Sequence, residues 1–171
     1  TSQWDITTKV MDSNNKAPAR ITCDTFVVGD LMDYDMVVTF GKNVDVLTIE
    51  IENVNTDALE ALEKKGVKVY PQASVLKIIQ NKCNQKQFYK SNNIPTAPFQ
   101  LFNSKEALKQ AIGKGSVSFP FVWKSEAMGY DGYGVQIVQS NSDIEKLNEG
   151  ACMAEDLVPI DKELGVIVCR S

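Results

Sequence analysis

The sequence predicts an α/β chain, a doubly wound parallel sheet followed by a small α+β unit. Three observations carry that expectation. Between residues 7 and 70, short runs rich in Val, Ile and Leu alternate with segments apolar at helical spacing, the pattern of parallel strands joined by helices. After residue 99 the order becomes strand, helix, hairpin, helix, strand. Between these parts, Ile94-Pro-Thr-Ala-Pro98 must be extended, because each proline disfavours the helical region at the residue before it.

In chain order, Thr7 to Met11 is a short strand closed by the turn-rich Asp12 to Pro18, and Thr25 to Val28 is a second extended piece. Asp33 caps a helix to Lys42 that carries Met36, Val37 and Phe40 at helical spacing. Val44 to Ile51 is a strand. Asn55 or Thr56 caps the next helix, which runs through Lys65 and ends at Gly66. Val67 to Tyr70 is a strand cut by Pro71. Ser74 to Gln80 and Asn84 to Asn92 form two short helices, with Leu76, Ile78, Ile79, Phe88 and Tyr89 turned inward. In the second unit Phe99 to Leu101 is a strand, and Ser104 caps a helix to about Ile112. After a hairpin, Asn141 or Ser142 caps a helix to Leu147. Ala151 to Leu157 and Leu164 to Cys169 are the closing strands.

Composition narrows the chemistry. With 171 residues, 43% hydrophobic and 23% charged, the chain can bury a sizeable core. A net charge of −4 argues against a general nucleic-acid surface, which would be basic. No apolar run approaches the ~20 residues that span a bilayer, and no signal peptide opens the chain, so a cytoplasmic protein is expected. Cys23, Cys83, Cys152 and Cys169 are scattered and are read as buried thiols. Histidine is absent, which removes Ser-His-Asp triads, Cys-His dyads and histidine-based zinc sites. Chemistry must run on Lys, Arg, carboxylates and bound metal, as phosphoryl transfer can.

The stretch with most chemical content is Phe121 to Gln139. An apolar run ends in Lys124, three glycines (Gly129, Gly132 and Gly134) follow within six residues, and Val135 to Val138 form a second apolar run. A nucleotide P-loop or Rossmann fingerprint would open a helix, whereas this loop joins two strands. The glycines can bring backbone N–H groups close to a phosphate, with Lys124 adding positive charge. The same residues also suit a plain glycine-tipped hairpin with an exposed strand-end lysine.

Lys124 with Met128 to Gly134 resembles the phosphate loop of the carboxyaminoimidazole ribonucleotide synthetase family, ATP-grasp ligases of purine biosynthesis also known as the ATPase subunit of phosphoribosylaminoimidazole carboxylase. Three further stretches match in the family's order. They are Asp45 to Val54, Asn81 to Lys86 with Asn93 to Pro98, and Glu155 with Glu163. The resemblance implies a pre-ATP-grasp domain over 1–92, an ATP-grasp small lid domain over 93–157 and the start of a C-terminal ATP-grasp domain over 158–171. The family's opening Gly-Gly-Gly-Gln-Leu-Gly type motif has no counterpart here, so the doubly wound sheet is expected to be incomplete and the chain to be a piece of a longer protein.

The resemblance also implies roles. Lys124 and Lys82 would contact ATP, with Gly129, Tyr130, Asp131, Gly132, Tyr133 and Gly134 covering the triphosphate. Tyr133 departs from the family's usual Lys or Arg. Tyr130 and Asp131 would face the aminoimidazole ribonucleotide, Asp131 accepting an N–H or a proton during attack on the carboxyl donor; Asp131 alternatively only shapes the turn. Backbone groups of Glu155, Leu157 and Val158 would pair with the adenine edge, and Glu163 would accept both ribose hydroxyls. Glu50 and Glu52 alternate with Ile51, and Glu52 is a further candidate at the ribonucleotide site, since ligands of open α/β sheets gather at the carboxyl ends of strands. Lys82 and Lys86 fall on one helical face, where a solvated lysine pair is the alternative.

The implied reaction joins bicarbonate to aminoimidazole ribonucleotide through carboxyphosphate, with ATP cleaved to ADP and phosphate. Magnesium is the implied metal, its ligands expected beyond Ser171, so that the chain alone is expected to lack synthetase activity. A homodimer partner is also implied. Two other readings stay open: a different ATP-grasp carboxylate–amine ligase, and a non-catalytic nucleotide-binding module.

Overall fold

The computed structural model of the chain describes residues 5–126 and 134–168. It divides into two compact units, Thr1–Asn81 and Lys82–Ser171.

The first unit is built of parallel strands and helices, as the alternation requires. Strand β1 (Lys9–Asp12) leads through a 3-10 turn (Pro18–Ile21) to β2 (Thr25–Val28), helix α1 (Tyr34–Gly41), β3 (Val46–Thr48), α2 (Thr56–Lys64), β4 (Lys68–Tyr70) and α3 (Ala73–Ile79). β1 pairs with β2 and β3 with β4, both in parallel. The helix starts follow from local chemistry. The Asp33 carboxylate accepts the Met36 N–H at 2.7 Å, and the Asn55 side chain accepts the Ala58 N–H at 2.9 Å, filling donors that the first helical turn leaves unpaired. Gly66 ends the second helix with φ +91°, a conformation that favours a residue without Cβ. Leu59, Leu62 and Leu76 anchor the core, with Leu47 and Val69 contributed by the strands.

Strand β3 is shorter than the expected Val44 to Ile51. The Ile49 N–H makes one more bond, to the Tyr70 carbonyl at 3.0 Å, and the partner strand then meets Pro71, which has no N–H to offer. Ile79 also departs from its expected inward place and is exposed.

The second unit contains α4 (Lys82–Ser91), β5 (Phe99–Phe102), α5 (Lys105–Gly113), β6 (Phe121–Ser125), β7 (Val135–Val138), α6 (Asn141–Ile144) and β8 (Cys152–Asp156). Its four strands form one antiparallel sheet in the order β5-β8-β6-β7. The register places Phe121, Trp123, Cys152 and Ala154 on one face, packed with Leu108 of α5 and Ile144 of α6. Val122, Lys124, Met153 and Glu155 alternate with these and occupy the other face.

Three sequence expectations change here. Phe88 is exposed and Tyr89 half-buried; the buried residues of α4 are Cys83 and Lys86, one turn apart, so the inner face is rotated from the one the aromatics suggested. Helix α6 is capped by Ser140 rather than Asn141 or Ser142, because the Asp143 carboxylate takes up the N–H groups of Gln139 and Ser140, and it stops at Ile144. Residues 164–168 form no strand: a run of apolar residues becomes one only by joining a ladder, and none is made by any described part of residues 157–168. No described helix is long and apolar enough to cross a membrane.

Candidate nucleotide-phosphate site

The loop expected to cover phosphates is held at its base by the sheet. Strands β6 and β7 pair antiparallel as far as Lys124 and Val135, and beyond them the Ser125 N–H donates to the Gly134 carbonyl at 2.8 Å. Gly134 has φ +73°, so the position that turns the chain back into β7 is one where a side chain would be strained. Gly129, Tyr130, Asp131, Gly132 and Tyr133 lie outside the described residues. On the other side of the loop base, the Glu126 N–H donates to the Ala151 carbonyl at 3.1 Å, and the Glu126 carbonyl accepts the N–H of Lys82 at 3.3 Å. The first residue of α4 is therefore tied to the end of β6, which brings Lys82 beside the loop base.

Lys124 is not a solvated strand-end lysine. Its partner is Glu155 on β8, and register explains why. Glu155 lies directly opposite Val122, so Lys124 is its diagonal neighbour on the same face, within reach of a long side chain. The Lys124 Nζ is 2.5 Å from Glu155 Oε2. The other carboxylate oxygen, Oε1, is 2.7 Å from the Nζ of Lys86 on α4, and that amine also donates to the Thr96 hydroxyl. Thr96 is offered by the extended Pro95-Thr-Ala-Pro98 segment, and the Phe99 ring lies 5.9 Å from the Lys86 amine.

The three charged side chains differ in access. Those of Lys86 and Glu155 are 10% and 11% exposed, and that of Lys124 is 23% exposed. Burial alone would raise the Glu155 carboxyl, but hydrogen bonds and charge from Lys124 and Lys86 outweigh it and hold the group below its ordinary range. Glu155 is thus an anion flanked by two cations, and the cluster carries one surplus positive charge, expressed at its most exposed member.

At Glu155 strands flank β8 on both sides. They are β5 and β6, with Glu155 in register with both Phe99 and Val122, and Asp156 donates its N–H to the Pro98 carbonyl at 2.9 Å. Leu157 and Val158 lie past the end of this ladder and are exposed. Glu163 is exposed on the same irregular segment. Glu52 belongs to the first unit, on the bend after β3; its side chain is exposed and its carbonyl accepts Gln80 Nε2 at 2.6 Å.

Lys86 is the residue that sequence reasoning undervalued. A lysine four residues from another reads as a solvated pair, and nothing local to α4 announces a carboxylate from β8. Of the four cysteines expected to be buried, Cys83 and Cys152 are, Cys23 is half-buried at the surface, and Cys169 lies outside the described residues. Burial pushes Cys83 up to about 11 and also raises Cys152, partly offset by the Trp123 N–H, so neither is a ready thiolate. Among the described residues no group of three or more His, Cys, Asp or Glu side chains could hold a metal ion, so no metal step is assigned to them.

Both units match known protein domains. The family description "Ribonucleotide synthetase preATP-grasp domain" matches residues 1–80, and "ATP-grasp domain" matches residues 87–171. Phosphoribosylaminoimidazole carboxylase of Candida glabrata is 35% identical over 99% of this chain. The chain belongs to the carboxyaminoimidazole ribonucleotide synthetase family. Among solved members of that family, the carboxyaminoimidazole ribonucleotide synthase of Aspergillus clavatus complexed with ATP is 31% identical, with TM-score 0.80 over 94% of this chain. The Aspergillus clavatus synthase in complex with ADP and 5-aminoimidazole ribonucleotide gives 28% identity and TM-score 0.79 over the same share. This synthetase-family chain spans 31% of the length of the Candida relative and 43% and 42% of the two Aspergillus structures.

Proposed function

We propose that this chain forms the preATP-grasp and lid portions of an ADP-forming ligase that carboxylates aminoimidazole ribonucleotide with bicarbonate in purine biosynthesis. In this reading ATP phosphorylates bicarbonate to carboxyphosphate, and the ribonucleotide amine captures the carboxyl group. The observation that carries the reading is the placement of Lys124. Its amine stands on the face of the sheet opposite the apolar core, at the base of a glycine-rich loop, in a cluster with one surplus positive charge.

The chain's own part in the chemistry is to bind and orient. Lys124 and the amides of residues 129–134 meet the phosphates, Lys82 approaches from the start of α4, and Leu157 and Val158 offer peptide groups beyond the sheet ladder to the adenine edge. Glu163 takes the ribose hydroxyls, and Tyr130 and Asp131 face the ribonucleotide amine, with Glu52 as a weaker candidate for that substrate. Preorganised charge lowers the barrier most where charge develops, and the phosphoryl group is that place. Magnesium supplies charge neutralisation when bound. A cytoplasmic homodimer is the assembly and setting this reading implies.

The test is ADP formation by the protein that contains this chain, in the presence of bicarbonate and magnesium. Turnover that depends on aminoimidazole ribonucleotide is expected. Turnover with amino acids instead would move the chain to another ATP-grasp ligase. Tight ATP binding with no turnover on any amine would make it a nucleotide-binding module.

A further inference from the structure

The geometry points to Lys86 as a positioning residue that keeps Lys124 effectively cationic toward a polyphosphate, acting through Glu155 without touching the ligand. This rests on the proposed reading of Lys124 as a phosphate contact.

The argument is one of charge and access. Glu155 has two carboxylate oxygens, and each is given to a different lysine, Oε1 to Lys86 and Oε2 to Lys124. With Lys86 in place, the carboxylate is already balanced from its buried side, and the Lys124 charge remains available to an anion. Without Lys86, Glu155 and Lys124 form a neutral pair, and an incoming phosphate must compete with the carboxylate for the same amine. Lys86 suits this role and not direct contact. Its side chain is only 10% exposed, its amine is shared between Glu155 and Thr96, and it lies near the Phe99 ring. In such surroundings a charge interacts more strongly with its neighbours than it would in water. Glu155, the shared partner, sits one residue before the end of the β8 ladder, so the same residue fixes the lysine and leads into the exposed Leu157 and Val158.

The test measures calorimetric affinities of the protein that contains this chain for ADP and adenosine in four forms: wild type, Lys86→Met, Lys124→Met and the double variant. Lys86→Met is expected to weaken ADP about tenfold, roughly the worth of one hydrogen bond to a charged group. Adenosine, which lacks phosphate, is expected to bind unchanged. In the double variant the loss of Lys86 is expected to cost nothing beyond the loss of Lys124, because the pathway runs through that amine. Lys86→Arg, which keeps the charge, is expected to retain most of the ADP affinity. A loss equal for ADP and adenosine, or one that adds in full to Lys124→Met, would overturn the proposal and leave Lys86 a packing residue. A wild-type protein that prefers ADP no more than adenosine would instead sink the phosphate reading itself, and the proposal with it.

Discussion

The Lys124 ammonium lies 2.5 Å from Glu155 Oε2, joining β6 to β8 on the face of the sheet opposite the apolar core. Because two cations depress the Glu155 carboxyl below its ordinary value of 4.5, the folded state holds this proton less tightly than the unfolded chain. The stabilisation is therefore fully present above pH 4.5 and is lost as pH falls through the lower folded value. Acid unfolding followed by circular dichroism should show this limb in the wild type and a shallower one in Glu155→Gln. At neutral pH the same substitution should cost about 3 kcal/mol, since it leaves a buried lysine without its counter-charge. Identical acid limbs in the two proteins would contradict the assignment.

Lys105 is a second buried amine, and its partners are two carbonyls and one carboxylate. It donates to the carbonyls of Leu147 at 2.8 Å and Glu145 at 3.1 Å, and it lies 3.2 Å from the Glu149 carboxylate. These carbonyls follow the short α6, and the lysine supplies donors they would otherwise lack. Lys105→Met should destabilise the second unit by about 1–3 kcal/mol, the cost of buried acceptors left unpaired. Lys109→Met, which removes a surface pair with Glu145 at 2.9 Å, should leave the urea midpoint nearly unmoved.

In the first unit, Gly41 closes α1 against α2. A Cβ added there would lie 2.3 Å from Leu62 Cδ1 and 3.1 Å from Cδ2, and Leu62 is fully buried. Gly41→Ala should therefore cost about 1–3 kcal/mol through overpacking. Adding Leu62→Ala to that variant should cost less than it does in the wild type, because the alanine at 41 fills part of the vacated space. Full additivity in chemical denaturation would argue against the contact.

Gly66 and Gly113 both have open space where a Cβ would sit, yet they should respond oppositely to one. Gly66 sits at φ +91°, so Gly66→Ala should lose about 1–2 kcal/mol to backbone strain alone. Gly113 ends α5 without a positive φ, and Gly113→Ala should be neutral or gain up to about 1 kcal/mol from helix propensity. The melting temperature should fall in Gly66→Ala and hold or rise in Gly113→Ala.

Much of the architecture was legible because its causes are local. Asp33, Asn55 and Ser104 each cap a helix through their own side chain and a backbone N–H three residues on. The hairpin around the glycine-rich loop follows from two apolar runs of strand formers. Local signals misled where an element's fate depended on a partner. The 164–168 run has strand-like composition and no ladder, and Phe88 has the hydrophobicity of a core residue on a face that α4 leaves exposed.

The sequence alone thus determined the strand and helix order, the caps, and the lysine that opens the glycine loop, since each depends on neighbours within a few positions. Only the tertiary structure decided what that lysine is paired with. Glu155 stands 69 residues from Lys86, and their meeting depends on the register of β8 and on the face α4 turns inward. A buried charge must find its counter-charge wherever the fold supplies it, and no spacing along the chain encodes that distance.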